Sequence, residues 1–289
     1  MLNKRKFAFM ASLDFASWQP ERILKSLSNL GYDGVEWTLS HFNPRTKSQE
    51  ELRKLVELTK NYGLEVSEVV VQQDVVNLNK KIRRDRIELV KECIAAASEV
   101  GVKVMNLFSG PAPWDPEAPR ILEDISEGKA WEQVLEAYEE FVKLAEKSKV
   151  YLAVEAVWGH LCHDYYTTKE LISSFDSEFL GINMDPSPCC LYGNDISWVI
   201  KKWGKKIKHV HLKDVAGKPG IHGKDFIFPL LGEGIVDWKA FFKTLDEIEY
   251  KGFFSVEFES FNYYRNVLKN DPVKAAEISM EQIKELTKL

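Results

Sequence analysis

Eight short, apolar, β-rich runs alternate with longer amphipathic stretches along this chain, and few architectures accept that pattern. The strand runs are 7–13, 34–39, 65–72, 104–109, 151–157, 180–185, 207–213 and 253–258, most of them bounded by Gly, Asp or Asn. Helical periodicities fill the intervals. Pro20 opens one over 20–30 that stops at Gly31; others cover 48–62, 79–100, 129–148, 168–175, 195–203 and 237–248, and Pro272 opens a last one running nearly to Leu289. With right-handed crossovers, such a chain makes either a (β/α)8 barrel or a long doubly wound sheet. Three features choose the barrel. The count is eight, no glycine-rich dinucleotide turn follows the first strand, and polar strand ends recur in consecutive units. No linker or low-complexity tract divides the 289 residues, so the expectation is an α/β chain folded as a single TIM-barrel domain over 1–289.

Four of the later strand runs carry a polar residue near their ends. Glu155 closes Tyr-Leu-Ala-Val-Glu, Asp185 closes Gly-Ile-Asn-Met-Asp, His211 stands in Lys-His-Val-His-Leu, and Glu257 closes Phe-Phe-Ser-Val-Glu. A charge at the end of a buried strand is costly unless something pairs with it. A single such residue is usually a cap or a loop partner; four in succession ask for a common cause. In a parallel barrel the C-terminal ends of strands five to eight are neighbours and alternate residues point inward, so the four side chains would converge. Three carboxylates and one imidazole make a hard, oxygen-rich site for one divalent metal, with Mn2+ the expected ion and Mg2+ or Co2+ the alternatives, rather than a structural zinc.

Period two puts His209, His211 and Lys213 on one face of strand seven. His209 would lie deeper, as a hydrogen-bonded interior residue. Lys213 would lie nearer the mouth, either binding a substrate oxygen or carboxylate or pairing with Asp214 or Glu259. Glu259, two residues beyond Glu257, is placed to orient the metal shell. The longest irregular stretches, 109–128, 158–167 and 214–236, all follow strands and so belong to the C-terminal face, where barrel active sites are built. The Gly232-Glu-Gly234 run lacks the Lys-Ser/Thr of a phosphate loop and reads as a turn before a helix capped by Asp237.

A net charge of −5 gives no general pull toward nucleic acid or an anionic membrane. The N-terminal stretch is basic and then briefly apolar, but Asp14 arrives before a signal-peptide core could form, and no run approaches a membrane span; a cytoplasmic protein is the expectation. Cys93, Cys162, Cys189 and Cys190 form no C-x-x-C pair and read as reduced thiols.

The segments Asn183-Met-Asp-Pro-Ser, His209-Val-His-Leu-Lys-Asp, Pro229-Leu-Leu-Gly-Glu-Gly-Ile-Val-Asp-Trp238 and Tyr250-Lys-Gly-Phe-Phe-Ser-Val-Glu-Phe-Glu259 resemble the sugar isomerase/epimerase superfamily of xylose-isomerase-like barrels. The resemblance covers nearly the whole length and extends to ketose 3-epimerases, hydroxypyruvate isomerases and inosose dehydratases. It implies that Glu155, Asp185, His211 and Glu257 hold a Mn2+-type metal and that Glu155 and Glu257 are the catalytic pair, moving protons on a ketose or related hydroxycarbonyl through an enediolate. Proton return to the opposite face is epimerisation, return to the adjacent carbon is isomerisation, and loss of a β-hydroxyl is dehydration, as in a keto-inositol dehydratase. The four ligands do not separate these outcomes.

The substrate contacts expected on this reading are Lys213, His222, Glu36, Trp114 and Trp158, with Trp37 as a further wall and Trp18 covering the mouth; Trp198 and Trp203 fall on a helix and read as packing residues. Glu36 at the end of strand two faces the mouth in many relatives, though a structural role is the equal alternative. Two departures bear on substrate identity. Pro188 stands where many relatives carry a histidine, and Gly217 where ketose epimerases carry an arginine; His222 is the candidate to compensate. The implied partner is a small sugar or polyol, with no nucleic acid and no membrane, and a homo-oligomer is open. Two rivals from other classes are a metal-free sugar-binding barrel and an abasic-site endonuclease. The endonuclease would need extra histidines and a basic mouth; this chain has six histidines, Asp225-Phe-Ile227 where an Asp-x-His pair is expected, and its most basic run, Lys201–Lys206, before strand seven at the barrel bottom.

Overall fold

The computed structural model describes residues 5–288. Eight parallel strands close into a barrel: β1 (Lys6–Met10), β2 (Gly34–Thr38), β3 (Glu65–Val70), β4 (Val104–Leu107), β5 (Tyr151–Glu155), β6 (Leu180–Met184), β7 (Ile207–Leu212) and β8 (Phe253–Val256). They are hydrogen-bonded in chain order, and β8 returns to β1 through Phe9↔Val256. The outer layer is α1 (Pro20–Leu30), α2 (Gln49–Asn61), α3 (Lys80–Val100), α4 (Glu127–Ser148), α5 (Tyr165–Ser173), α6 (Ile196–Trp203), α7 (Trp238–Glu247) and α8 (Pro272–Leu286). The expected barrel is therefore the observed one.

Local chemistry sets the helix ends. Ser48 and Glu51 close a capping box on α2, and Asn79, Ser126, Asp195, Asp237 and Asp271 cap their helices through side-chain oxygens. Replacing one such cap by Ala typically costs about 1 kcal/mol. Helix α5 starts three residues before the expected 168, because Asp164 accepts the Thr167 amide at 2.8 Å and begins the helix there.

The main core lies between the outward strand faces and the helices, around Phe9, Trp37, Tyr138, Phe141 and Phe241, all essentially inaccessible. Burying each contributes on the order of 1.5–3 kcal/mol. Trp37 is thus not a pocket wall. Strand alternation turns Glu36 into the barrel and Trp37 out beneath α2, where its indole N–H donates to Thr59 Oγ1 at 3.3 Å. Trp18 is likewise a packing residue, with the Arg22 guanidinium 3.2 Å over its ring.

The loop after β7 holds structure the pattern did not reveal, an antiparallel ribbon of Ala216–Gly217 with Phe226–Ile227. Phe226 of this ribbon packs with Leu191, Val215 and Phe228 in a small second core. Asp214 ties the far end of this loop down. Its carboxylate accepts the amides of Val215, Gly232, Gly234 and Val236 and the Trp238 indole N–H, at 2.9–3.2 Å. A Cβ at Gly234 would collide with that carboxylate, which is why the expected turn contains glycine there. Short helices Pro186–Leu191 and Phe261–Asn266 follow β6 and β8.

Candidate metal centre

Glu155 is the last residue of β5, His211 lies within β7, and Asp185 and Glu257 are each the first residue beyond β6 and β8. One ligand atom from each lies within 4.8 Å of all the others. His211 Nδ1 is 3.1 Å from Glu155 Oε1 and 3.2 Å from Glu257 Oε2. Asp185 also caps the short helix after β6, accepting the Ser187 amide at 2.8 Å and its hydroxyl at 3.1 Å. Lys213 reaches into the same space. Its Nζ is 2.8 Å from Asp185 Oδ2, 3.2 Å from Glu259 Oε2 and 3.9 Å from Glu155 Oε1, and contacts Glu257 Oε2. Of the partners foreseen for Lys213, Glu259 is the observed one; Asp214 is engaged by the loop amides.

Two residues that sequence reasoning passed over hold Glu155 in place. Asn106 Nδ2 and Gln72 Nε2 donate to Glu155 Oε2 at 2.8 and 3.2 Å. The signal was available: Asn106 interrupts the apolar run Val-Met-Asn-Leu of β4, where an unpaired amide would be costly.

A second layer lies below. Glu36, Glu68 and His209 are fully buried, and with His211 they too bring one ligand atom each within 4.8 Å. His211 Nε2 is 3.0 Å from Glu36 Oε1, His209 Nδ1 is 3.1 Å from Glu68 Oε1, and Asn183 Nδ2 donates to Glu68 Oε1 at 3.3 Å. Glu36 is therefore not at the mouth. Thr38, two residues on, lines the cavity, so Glu36 sits roughly 6–7 Å deeper along β2. Sequence reasoning missed Glu68 in β3, which shares its parity with Gln72 just beyond the strand. His209 is the interior residue expected.

The electrostatics divide the two catalytic candidates. Burial, then Glu257, raises the Glu155 pKa above the ordinary carboxylate value. Burial works against ionisation of Glu257 as well, but Lys213 and His211 outweigh it and hold Glu257 strongly ionised. Burial disfavours charge on Lys213 and His211, yet the surrounding carboxylates raise both well above their usual values. Glu259 is pushed up to about 7, chiefly by burial. In the lower layer, burial and then Glu36 raise Glu68 well above its usual value.

The upper layer opens into a cup of two cavities that share Gln72, Glu257, Glu259 and Phe261. One, about 230 Å3, is lined by Glu155, Lys213, Trp114, Trp158, His222 and Phe228. The other, about 420 Å3, is lined by Met10, Ser12, Leu13, Thr38, Ser40 and Val70. Trp114, Trp158 and His222 thus stand at the cup, with ring centroids 5.7 Å apart for the two indoles and 5.8 Å for Trp158 and His222. Pro188 is buried in the short helix after β6, and Gly217 sits in the ribbon.

A family model described as xylose isomerase-like TIM barrel matches residues 24–286. The chain belongs to that family. Within the xylose isomerase-like TIM barrels it is 24% identical over 242 residues to L-ribulose-5-phosphate 3-epimerase UlaE of Shigella flexneri serotype 5b, covering 81% of this chain and 80% of that protein. It is 22% identical over 256 residues to inosose dehydratase of Bacillus cereus strain AH820, covering 83% and 82%. The solved structure of D-psicose 3-epimerase in the presence of D-fructose superposes with a TM-score of 0.76 at 14% identity, covering 97% of each chain. The relatives of this chain thus include an L-ribulose-5-phosphate 3-epimerase and an inosose dehydratase, and the chain carries a candidate divalent-metal site. Among the described residues, no helix is long and apolar enough to cross a membrane.

Proposed function

We propose that the protein is a divalent-metal-dependent sugar epimerase or isomerase acting on a ketose or related hydroxycarbonyl. The observation that carries this reading is the pair Glu155 and Glu257, both within 3.2 Å of His211 Nδ1 at the floor of a cup and part of a set whose four ligand atoms lie within 4.8 Å of one another; burial raises the Glu155 pKa, while Lys213 and His211 lower that of Glu257. Two carboxyl groups whose surroundings separate their pKa values are suited to give and take protons in one reaction.

The donor set fits a cation. The Lys213 ammonium lies among the same carboxylates, so the site is built to hold positive charge. Glu155, Asp185, His211 and Glu257 would hold the metal, and their oxygen-rich character favours Mn2+. When bound, a divalent ion there would polarise a carbonyl and acidify the adjacent C–H. Glu257, held ionised, removes that proton. Glu155, held through Oε2 by Asn106 and Gln72, returns one to the enediolate. Each positioned acid or base contributes roughly 10²–10⁴-fold.

One observation favours a dehydratase as second reading. Glu259, near Lys213 with a pKa of about 7, is suited to protonate a departing hydroxyl. Both readings are tested by incubating Mn2+-loaded protein in D2O with a panel of ketoses, keto-inositols and hydroxypyruvate. Deuterium entering the carbon next to the carbonyl, abolished by EDTA, is the expected result; an accompanying enone product identifies dehydration. No exchange with any substrate, together with no bound metal by elemental analysis, would leave a non-catalytic sugar-binding barrel.

A further inference from the structure

We infer that the substrate of this cup is an unphosphorylated, uncharged sugar whose non-reacting end lies on Trp114 and Trp158. This rests on the reading above for the reaction and goes beyond it in naming what the site selects.

A phosphate ester needs cationic side chains or free backbone amides to replace its hydration. The charged side chains lining the two cavities are Glu155, Glu257, Glu259 and Lys213. Three are acids; the Lys213 ammonium pairs with Asp185 and Glu257, which a bound metal would claim, and with Glu259, which lies outside the ligand set. Barrels of this architecture frequently hold phosphate on the amides of the loops after strands seven and eight. Here three amides of the loop after β7 are occupied from inside. Gly232, Gly234 and Val236 all donate to the Asp214 carboxylate, which fills the nest with the chain's own anion. After β8, Glu259 stands two residues before the short helix Phe261–Asn266 and faces the cup. Arg265 lines an adjoining groove that shares His222, Phe228, Glu259 and Phe261 with the smaller cavity, and it stacks on Phe261, its guanidinium carbon 5.7 Å from the ring centroid.

The same cup offers apolar surface where charge is missing. Trp114 is 52% exposed. Its indole rests on His160, with ring centroids 5.1 Å apart and planes at 29°. His160 is buried, accepts the Gly110 amide at 3.1 Å, and is held neutral by burial, with its pKa lowered to about 3. An exposed indole fixed from below, beside a second indole, is a platform for the C–H groups at the non-reacting end of the sugar.

The test pairs each ketose with its ester, L-ribulose with L-ribulose 5-phosphate and D-fructose with D-fructose 6-phosphate. Mn2+-loaded protein is followed by solvent-deuterium exchange and, separately, by tryptophan fluorescence. The expected result is kcat/KM at least tenfold higher for the free ketose of a pair. W114A should raise KM more than it lowers kcat, and W114F should restore much of the KM. A wild-type preference for the ester overturns the inference; loss of that preference in R265A would show that Arg265 is the phosphate site. If no sugar exchanges deuterium, the reaction assignment has failed and binding alone decides. Fluorescence quenching by free ketoses and not by esters then upholds the inference. Quenching by esters at lower concentration, or by neither class, overturns it.

Discussion

The two layers of the barrel interior share His211 and nearly the same composition, yet they are different kinds of place. The upper layer has Glu155, Asp185 and Glu257, faces the cup, and has the Lys213 ammonium among its oxygens. The lower layer has Glu36, Glu68 and His209, is sealed, and leaves Glu36 Oε2, Glu68 Oε2 and His209 Nε2 without hydrogen-bond partners. Above, a neighbouring cation keeps Glu257 ionised; below, burial and the adjacent Glu36 drive Glu68 toward its neutral form. The lesson is that acids and imidazoles within reach of one another do not make a reactive site. Access and a compensating charge do.

The largest expected effect that would break this contrast comes from the upper layer. E257Q keeps the shape and removes the base, so turnover measured by deuterium exchange should fall about 10²–10⁴-fold while the circular dichroism spectrum is retained. Unchanged turnover would remove Glu257 from the chemistry. Next is Lys213, whose removal strands buried carboxylates. In metal-free protein, K213M should cost about 3–5 kcal/mol in chemical denaturation, and added Mn2+ should recover part of the loss. An equal loss with and without metal would mean that Lys213 and the ion do not serve the same charges.

The lower layer predicts a smaller and indirect effect. Glu36 holds His211 Nε2 and so leaves Nδ1 toward the cup. E36Q should weaken Mn2+ binding about 10–100-fold, read by titration calorimetry, without abolishing exchange at saturating metal. A further effect is in pH. The Glu259 pKa, about 7 in the folded metal-free protein, exceeds the unfolded value near 4.5. Its contribution to stability is therefore complete below about 4.5 and is lost as pH rises through about 7. Tm measured in EDTA should decline across that window in wild type and decline less in E259Q. Identical slopes would place the titration elsewhere.

Much of this was legible in the chain. Parity within a strand put His209, His211 and Lys213 on one face, and the polar ends of the last four strand runs marked the residues that now meet. The same parity applied to β2 would have turned Trp37 outward, into the core beneath α2. Depth was not legible. Glu36 and Glu155 are both inward-facing strand acids, but one lies beneath His211 and the other beside the cup. The difference comes from the stagger between strands, which no single strand records. Asn106 and Glu68 went unnoticed because they interrupt apolar runs internally instead of closing them.

By itself, the sequence determined the eight strand–helix repeats, the caps that begin the helices, and which residues share the inward face of each strand. These follow from spacing within a few residues, where side-chain period and backbone hydrogen bonding act. The tertiary structure alone decided which layer each polar residue joins, that Lys213 sits among the carboxylates, and that Asp214 takes up the amides of Gly232, Gly234 and Val236. Those choices depend on barrel stagger and on the path of long loops, which bring together groups that the chain keeps up to a hundred or more residues apart.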